Sequence, residues 1–359
     1  TDFRRSYEET AIFGEIAYDI ADNLTVSGSM RQFDAESYLD GFSGTVWWPC
    51  GGGPSAAAQE ASGVYRPLNN YGADCADSNR ITASKDEVYR VTAEWAVNED
   101  LMVYSSWGEG YRPGGLNRFC SVGNTADYGG QGRDDTTGAQ CDFTPDFLTS
   151  YEVGVKATLM DGRMQLNAAA FLQDWDNFQF SRLDTSISPV TLTYNIGQAK
   201  SDGFEADFSV MLTETWSLTG AGSYIQAELS QDYYASDGLA APTAANGTQL
   251  PRVPEVKWNL STRYGFNTDW FVQASYIYTG SSYNNLFDGG SIPTRRYKQE
   301  DYQILNASIG VDRDSWVAEM YVRNLTDERG EVFRNAVNWD ERVMTNRPRT
   351  IGTRVSFKF

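Results

Sequence analysis

Histidine is absent from all 359 residues. That gap removes Ser-His and Cys-His nucleophile pairs, His-ligated zinc, the HExxH helix and haem ligation through His. No run of about 18 apolar residues exists, so no transmembrane helix is expected. A membrane barrel stays open, because its alternating strands leave only a weak hydropathy signal. Basic residues are the minority, 29 Lys and Arg against 48 Asp and Glu, for a net charge of −19. A phosphate backbone needs a basic footprint, so no nucleic acid is expected as a partner. The first residues, TDFRRSYEET, carry no signal peptide; either it has been removed or this is not the natural start of the polypeptide.

Cysteine is scarce, and its placement is informative. Cys50, Cys75, Cys120 and Cys141 fall as two local pairs without CxxC spacing, each within a Gly-rich polar stretch. Two loop-closing disulfides, Cys50–Cys75 and Cys120–Cys141, fit that layout and an oxidising compartment, each worth roughly 3 kcal/mol. Four free thiols in a reducing compartment is the alternative. Carboxylates are plentiful, yet no catalytic constellation emerges. Glu94, Glu152, Glu205 and Asp207 read as a hydrated strand face. GRDDTTGAQCD and DRDS lack the EF-hand ligand pattern, so no metal and no cofactor is expected.

What the chain has in abundance is period-two alternation. YRVTAEWAV puts Tyr89, Val91, Ala93, Trp95 and Val97 on one face; YEVGVKATL does the same with Tyr151, Val153, Val155, Ala157 and Leu159. FEADFSVML and VKWNLSTRYGF repeat the pattern, and TIGTRVSFKF ends the chain with it. Helical spacing fits these stretches less well. Short polar turns at Asp22, Glu99, Gly162, Glu214, Thr268 and Arg313 alternate with longer segments near 34–84, 113–146, 181–190, 229–252, 282–299 and 324–347. A soluble sandwich has no reason to keep every long loop at one end, whereas outer-membrane barrels do. Trp216, Trp270 and Trp316 each follow a short turn closely, as an interfacial aromatic girdle would.

The expectation is therefore an all-β, transmembrane antiparallel barrel wall of about thirteen strands. Its first strand, near residues 7–20, runs toward the short turns, as the last strand does. Ordinary pairing cannot close such a set, so strands are expected to be missing on the N-terminal side.

The stretches EGYRPGGLNR, NIGQAKSDGFEADFSV, LPRVPEVKWNLSTRYGF, VRNLTDERG and RTIGTRVSFKF, in that order, resemble the barrel of TonB-dependent outer-membrane receptors. The similarity covers essentially the whole chain, residues 1–359, as the C-terminal portion of a barrel that has twenty-two strands in that family. The resemblance implies a Gram-negative outer membrane, with long loops extracellular and the C-terminus periplasmic. It also implies that the terminal aromatic pattern of Val355, Phe357 and Phe359 is read by the barrel-assembly machinery. Energy coupling in the family runs through a plug and a TonB box, neither present in this sequence. The TonB-type partner is thus implied for a parent receptor, with the plug and remaining strands from the same gene or a partner chain.

For ligand recognition the sequence points to Tyr111, Arg112, Asn117 and Arg118, where a strand enters one cysteine-bounded loop, and to Trp47 and Trp48 in the other. Aromatic plus guanidinium suits a planar anionic ligand such as a ferric siderophore, and a sugar polymer nearly as well. Uptake of a siderophore, glycan or cobalamin-type ligand is expected. A passive or structural barrel (porin, adhesin or assembly scaffold) is the competing class.

Overall fold

The computed structural model describes residues 2–42, 78–117, 142–182, 191–235, 239–267, 269–288, 295–337 and 340–358. In chain order the strands are β1 Asp2–Ala21, β2 Leu24–Phe42, β3 Ser78–Asn98, β4 Leu101–Arg112, β5 Gly115–Leu116, β6 Asp142–Phe143 and β7 Asp146–Leu159. They continue with β8 Met164–Asp176, β9 Gln179–Arg182, β10 Leu192–Asn195, β11 Ala199–Thr213, β12 Trp216–Leu229, β13 Val256–Gly265 and β14 Trp270–Thr279. The last are β15 Ser282–Tyr283, β16 Lys298–Gln299, β17 Tyr302–Arg313, β18 Trp316–Arg323, β19 Glu331–Val337, β20 Asp340–Thr345 and β21 Thr350–Phe357. Among the described residues there is no helix.

Thirteen long strands form one sheet in the order β1-β2-β3-β4-β7-β8-β11-β12-β13-β14-β17-β18-β21. Each lies antiparallel to the strand before it. Register keeps the apolar parity on one side throughout. One row runs Val103–Val155–Ala168–Ala206–Gly222–Trp258–Tyr278 across seven strands. Another runs Ala274–Ala307–Val322–Ile351. A one-residue slip anywhere would turn such a strand's greasy side to the opposite face. Val153, Leu172, Phe204, Leu260 and Ile309 on this side are 39–58% exposed. A soluble sheet would bury that side against a second layer; a membrane barrel turns it to lipid.

The opposite side is polar. Its rows include Glu94–Tyr104–Gly154–Ala169–Glu205–Ser223–Lys257 and Ser261–Ser275–Asn306. Five glycines on the sheet sit directly opposite aromatic rings: Tyr104 by Gly154, Phe171 by Gly203, Phe208 by Gly220, Phe271 by Gly310 and Tyr321 by Gly352. In each pair a Cβ on the glycine would strike the ring, so the ring fills the space the glycine leaves.

The two ends of the sheet differ as the sequence implies. At one end the connections are tight, with Asp22–Asn23, Glu99–Asp100 and Glu214–Thr215 each making a two-residue turn. Met160, Asp161 and Gly162 take positive φ in the turn between β7 and β8. Trp216, Trp270 and Trp316 open β12, β14 and β18 at this end. Trp216 packs edge-on to Tyr264, and Phe266 lies against Trp270. This is the aromatic belt of a membrane boundary.

Three expectations need correcting at the other end. β1 is longer than residues 7–20, because its pairing with β2 continues up to Asp2–Phe42. β2 and β3 likewise pair far into the expected 34–84 loop, up to Gly41–Ser78. Four of the five remaining long connections contain two-stranded sheets of their own, β5–β6, β9–β10, β15–β16 and β19–β20, and the connection near 229–252 has only isolated bridges. Alternation alone could not mark β5, β6, β15 and β16, since two-residue strands leave no periodic trace. The cluster of Leu192, Tyr194, Ile196, Ala227, Leu229, Leu250, Leu286 and Phe287 lies at this end. Loop residues supply most of this buried core, and Ala227 and Leu229 at the end of β12 supply the rest.

β1 and β21 are the outer strands of the sheet. Ile12, Ile16 and Tyr18 on β1 are 71–79% exposed, and Ile351, Val355 and Phe357 on β21 are 58–72% exposed.

Candidate ligand site at the long-loop end

The long-loop end is held together by side chains that substitute for backbone partners. Arg112, at the top of β4, grips the carboxylate of Asp146, which is 1% exposed, with its Nε at 3.0 and 2.9 Å and with Nη2. The same Nη2 donates to the Gln179 carbonyl at 3.0 Å, and the guanidinium lies 5.2 Å from the Phe178 ring centroid. Gln179 N–H also donates to Asp146. Arg112 therefore fixes the heads of β4, β7 and β9 to one another. Asn117, 5% exposed, works like a strand residue. Its Nδ2 donates to the Thr193 carbonyl at 2.7 Å, and its Oδ1 accepts from Thr193 N–H at 2.8 Å.

Tyr111 occupies a seam. Above Gly108 β4 pairs with β7 and no longer with β3. Tyr111 has the parity of Val103 and Trp107, yet its ring stacks on Phe33 of β2 with centroids 3.7 Å apart. Its hydroxyl donates to Glu9 at 2.9 Å, and Tyr7 and Arg31 bond the same carboxylate. Tyr111 thus joins the β1–β2 ribbon to β4.

The stretches that carry the family resemblance make similar corners. Asn324 in VRNLTDERG has φ of 54° and is 3% exposed. Its Nδ2 donates to the carbonyls of Glu328 and Arg347, while its Oδ1 accepts from Glu328 N–H. Asp327 accepts the Arg349 N–H at 2.8 Å, which lowers its carboxyl pKa. Asn195 in NIGQAKSDGFEADFSV bonds Thr144 N–H and the carbonyls of Thr144 and Asn177.

Of the other residues singled out from sequence, Val355 and Phe357 lie on the apolar parity of β21, opposite Ala318 and Trp316. Trp47, Trp48, Cys50, Cys75, Arg118, Cys120, Cys141 and Phe359 lie outside the described residues.

A different set of side chains has the chemistry of a ligand site, and three separate loops contribute it. Arg296 lies over Tyr283, its guanidinium carbon 3.6 Å from the ring centroid, and donates to the carbonyls of Asn285 and Gln249. Burial pushes its pKa below the ordinary arginine value, though a guanidinium starts high enough to stay cationic. Arg252, with φ of 64°, bonds the Tyr283 carbonyl through its N–H and covers Phe333 at 4.6 Å. Arg334, next along β19, covers Tyr297 at 4.9 Å, and Arg295 approaches the same ring at 5.8 Å. Glu331 and Glu341 pair with Arg334. No carboxylate of the described residues makes an ion pair with Arg252, Arg295 or Arg296. Cationic, flat and partly dehydrated groups set on aromatic faces are suited to planar anions.

Sequence reasoning passed over this set. The Arg295-Arg296-Tyr297 triplet was the available signal, but Arg252 and Phe333 are distant in sequence and only folding brings them to it.

Comparison with known proteins follows the same lines. The family model described as TonB dependent receptor-like, beta-barrel, matches residues 1–325. The probable TonB-dependent siderophore receptor PiuA of Acinetobacter baumannii is 24% identical over 244 residues, 67% of this chain and 30% of PiuA. The metal-pseudopaline receptor CntO of Pseudomonas aeruginosa is 31% identical over 208 residues, 51% of this chain and 27% of CntO. The crystal structure of the ferric-catecholate import receptor Fiu from K12 Escherichia coli, closed form, superposes with a TM-score of 0.69 at 20% identity, over 98% of this chain and 45% of that one. The chain thus spans about a third of the length of its curated relatives.

Proposed function

Since the chain belongs to the TonB-dependent receptor family, whose β-barrels reside in the outer membrane, we propose that residues 1–359 form the C-terminal portion of a receptor importing a ferric siderophore by TonB-coupled active transport. The observation that carries the ligand class is the set of Arg252, Arg295 and Arg296 on aromatic faces at the long-loop end. A catecholate chelate of iron presents both matching features, aromatic rings and negative charge. The names of the siderophore receptors among the relatives point the same way.

In this reading the long loops face outward and the short turns and C-terminus face the periplasm. Trp47, Trp48 and Arg118 add to the ligand surface, whereas Tyr111, Arg112 and Asn117 position the loops. Cys50–Cys75 and Cys120–Cys141 close two of those loops as disulfides. Further strands pair with β1 and β21, since an unpaired edge in hydrocarbon costs several kcal/mol per unsatisfied group. A plug inside the completed barrel passes the pull of the energy-coupling protein to the ligand. The assembly machinery reads Val355, Phe357 and Phe359.

The test is equilibrium binding of a ferric catecholate chelate to the complete receptor, followed by quenching of tryptophan fluorescence. Each guanidinium contact at a partly exposed site contributes about 1 kcal/mol. R252A/R295A/R296A should therefore weaken binding about a hundredfold. Unchanged affinity in this folded variant refutes the assignment of the ligand to these loops.

A further inference from the structure

One arginine at the long-loop end differs from its neighbours in carrying two carboxylates, which hold it unequally. Glu331, three residues back on β19, takes Arg334 through two nitrogens, Nε at 3.0 Å and also Nη2. Glu341 comes from β20 and reaches only Nη1, at 3.7 Å, which is an ion pair without a hydrogen bond. The other oxygen of Glu341 accepts the Tyr297 hydroxyl, from the ring that Arg334 covers at 4.9 Å. The Glu341 side chain is 42% exposed, so water reaches this pair and not only the protein.

The fold does not need Glu341 in that place. The β19–β20 ladder runs from Glu331–Thr345 to Val337–Asp340 by its own backbone pairing. Tyr297 is fixed through its main chain, since its N–H donates to Asn284 at 2.6 Å and its carbonyl accepts the Asn284 N–H at 3.1 Å. A guanidinium gripped along one edge by a bidentate carboxylate keeps donors free for a second planar anion. Here those donors lie beside an aromatic face and a hydroxyl, and a loosely held, half-exposed carboxylate covers them. Exposed pairs of this kind contribute little, so a better acceptor replaces one at small cost.

We propose that Arg334 is a further ligand-binding residue and that Glu341 is its built-in competitor. The Glu341 carboxylate stands at the anion position of Arg334 and Tyr297 until an anionic ligand displaces it. The proposal rests on the reading of Arg252, Arg295 and Arg296 as a ligand surface, and extends that surface by one cation and a threshold. A neutral ligand gains nothing at Arg334 that offsets the lost ion pair, whereas a polyanionic chelate gains Nη1 and the Tyr297 hydroxyl together. Glu341 thereby selects for negative charge.

The experiment is equilibrium binding of a ferric catecholate chelate to the complete receptor as wild type, E341Q, R334A and R334A/E341Q. Retarded migration of unheated samples on gels establishes that each barrel has folded. E341Q should bind about fivefold tighter than the wild type, equivalent to about 1 kcal/mol. In the R334A background the same substitution should change affinity by less than about twofold, since only screened repulsion is then removed. Affinity that is unchanged or lower in E341Q overturns the proposal. An equal rise with and without Arg334 also overturns it, because charge repulsion alone would then account for the gain. In both cases binding by the wild type leaves the ligand reading standing. Absence of binding in the wild type and E341Q alike refutes that reading and the proposal with it, whereas binding by E341Q alone supports both.

Discussion

Leu260 and Asn259 are neighbours on β13 that face opposite media, which makes them a paired probe of the whole architecture. Leu260 lies opposite Gly220 and Tyr276 on the apolar side, while Asn259 lies opposite Ala221 and Ile277 on the polar side. β13 has ten residues, about 34 Å of strand at 3.4 Å each. Tilted by about 40°, it covers roughly 26 Å of height, close to the apolar band of about 25 Å. Leu260 is the fifth residue of the ten and therefore sits near the midplane. Arginine there should destabilise by about 2–4 kcal/mol, as lipid-facing cations do at that depth. Asn259→Arg, one residue away, should change stability by no more than about 0.5 kcal/mol, because its head stays hydrated in the lumen. Urea unfolding of the receptor in phospholipid vesicles, followed by tryptophan fluorescence, measures both. The outward positions Val155 and Ala307 should behave as Leu260 does when replaced by Arg. Equal costs at 259 and 260, or a larger cost at 259, would refute the assignment of the two faces.

Removing the guanidinium in Arg112→Ala leaves the buried Asp146 carboxylate unpaired, so the loop end should lose about 3–5 kcal/mol; early proteolysis between β4 and β9 reads this out, and a wild-type digestion pattern would contradict it. Gly154→Ala forces a methyl into the Tyr104 ring and should cost about 1–3 kcal/mol, with Tyr104→Ala in the same chain relieving the clash; a fully stable single variant would show that the ring does not occupy that space. Asp327 has a depressed pKa, so its contribution is complete above the unfolded carboxylate value of about 3.9 and is lost as pH falls through its lower folded value. Hydrogen exchange at the Arg349 amide should accelerate across that acid range in the wild type and not in Asp327→Asn. Non-reducing peptide mapping should join Cys50 to Cys75 and Cys120 to Cys141, and a link between the two loops would break the loop assignment.

The strands were legible because two media enforce period two: Val153 and Val155 must meet lipid while Glu152 and Lys156 meet water. The turns were legible for a related reason, since Trp216 and Trp270 mark a membrane boundary that a soluble sheet does not have. What alternation omits is any element without two distinct faces. The upper halves of β2 and β3 looked like loop, because a ribbon rising past the bilayer no longer needs a greasy side. Tyr111 and Arg112 had the right chemistry for a ligand, but register and burial were needed to find Tyr111 against Phe33 and Arg112 on Asp146. The family-like stretches were legible as motifs and opaque as structure. Asn195 and Asn324 stand in those stretches for a reason that only their corner hydrogen bonds disclose. The arginine set was hidden for the opposite reason, since Arg296 and Arg334 belong to no family-like stretch, Arg252 belongs to one without standing out in it, and they meet only after three loops have packed.

Uptake of a radioiron-loaded catecholate chelate by iron-starved cells tests the central claim most directly. Cells carrying the complete receptor should accumulate iron and lose that accumulation when the TonB-type coupling protein is deleted, while surface binding of the chelate persists. Accumulation that continues at the same rate without the coupling protein would make the barrel a passive pore and contradict the account.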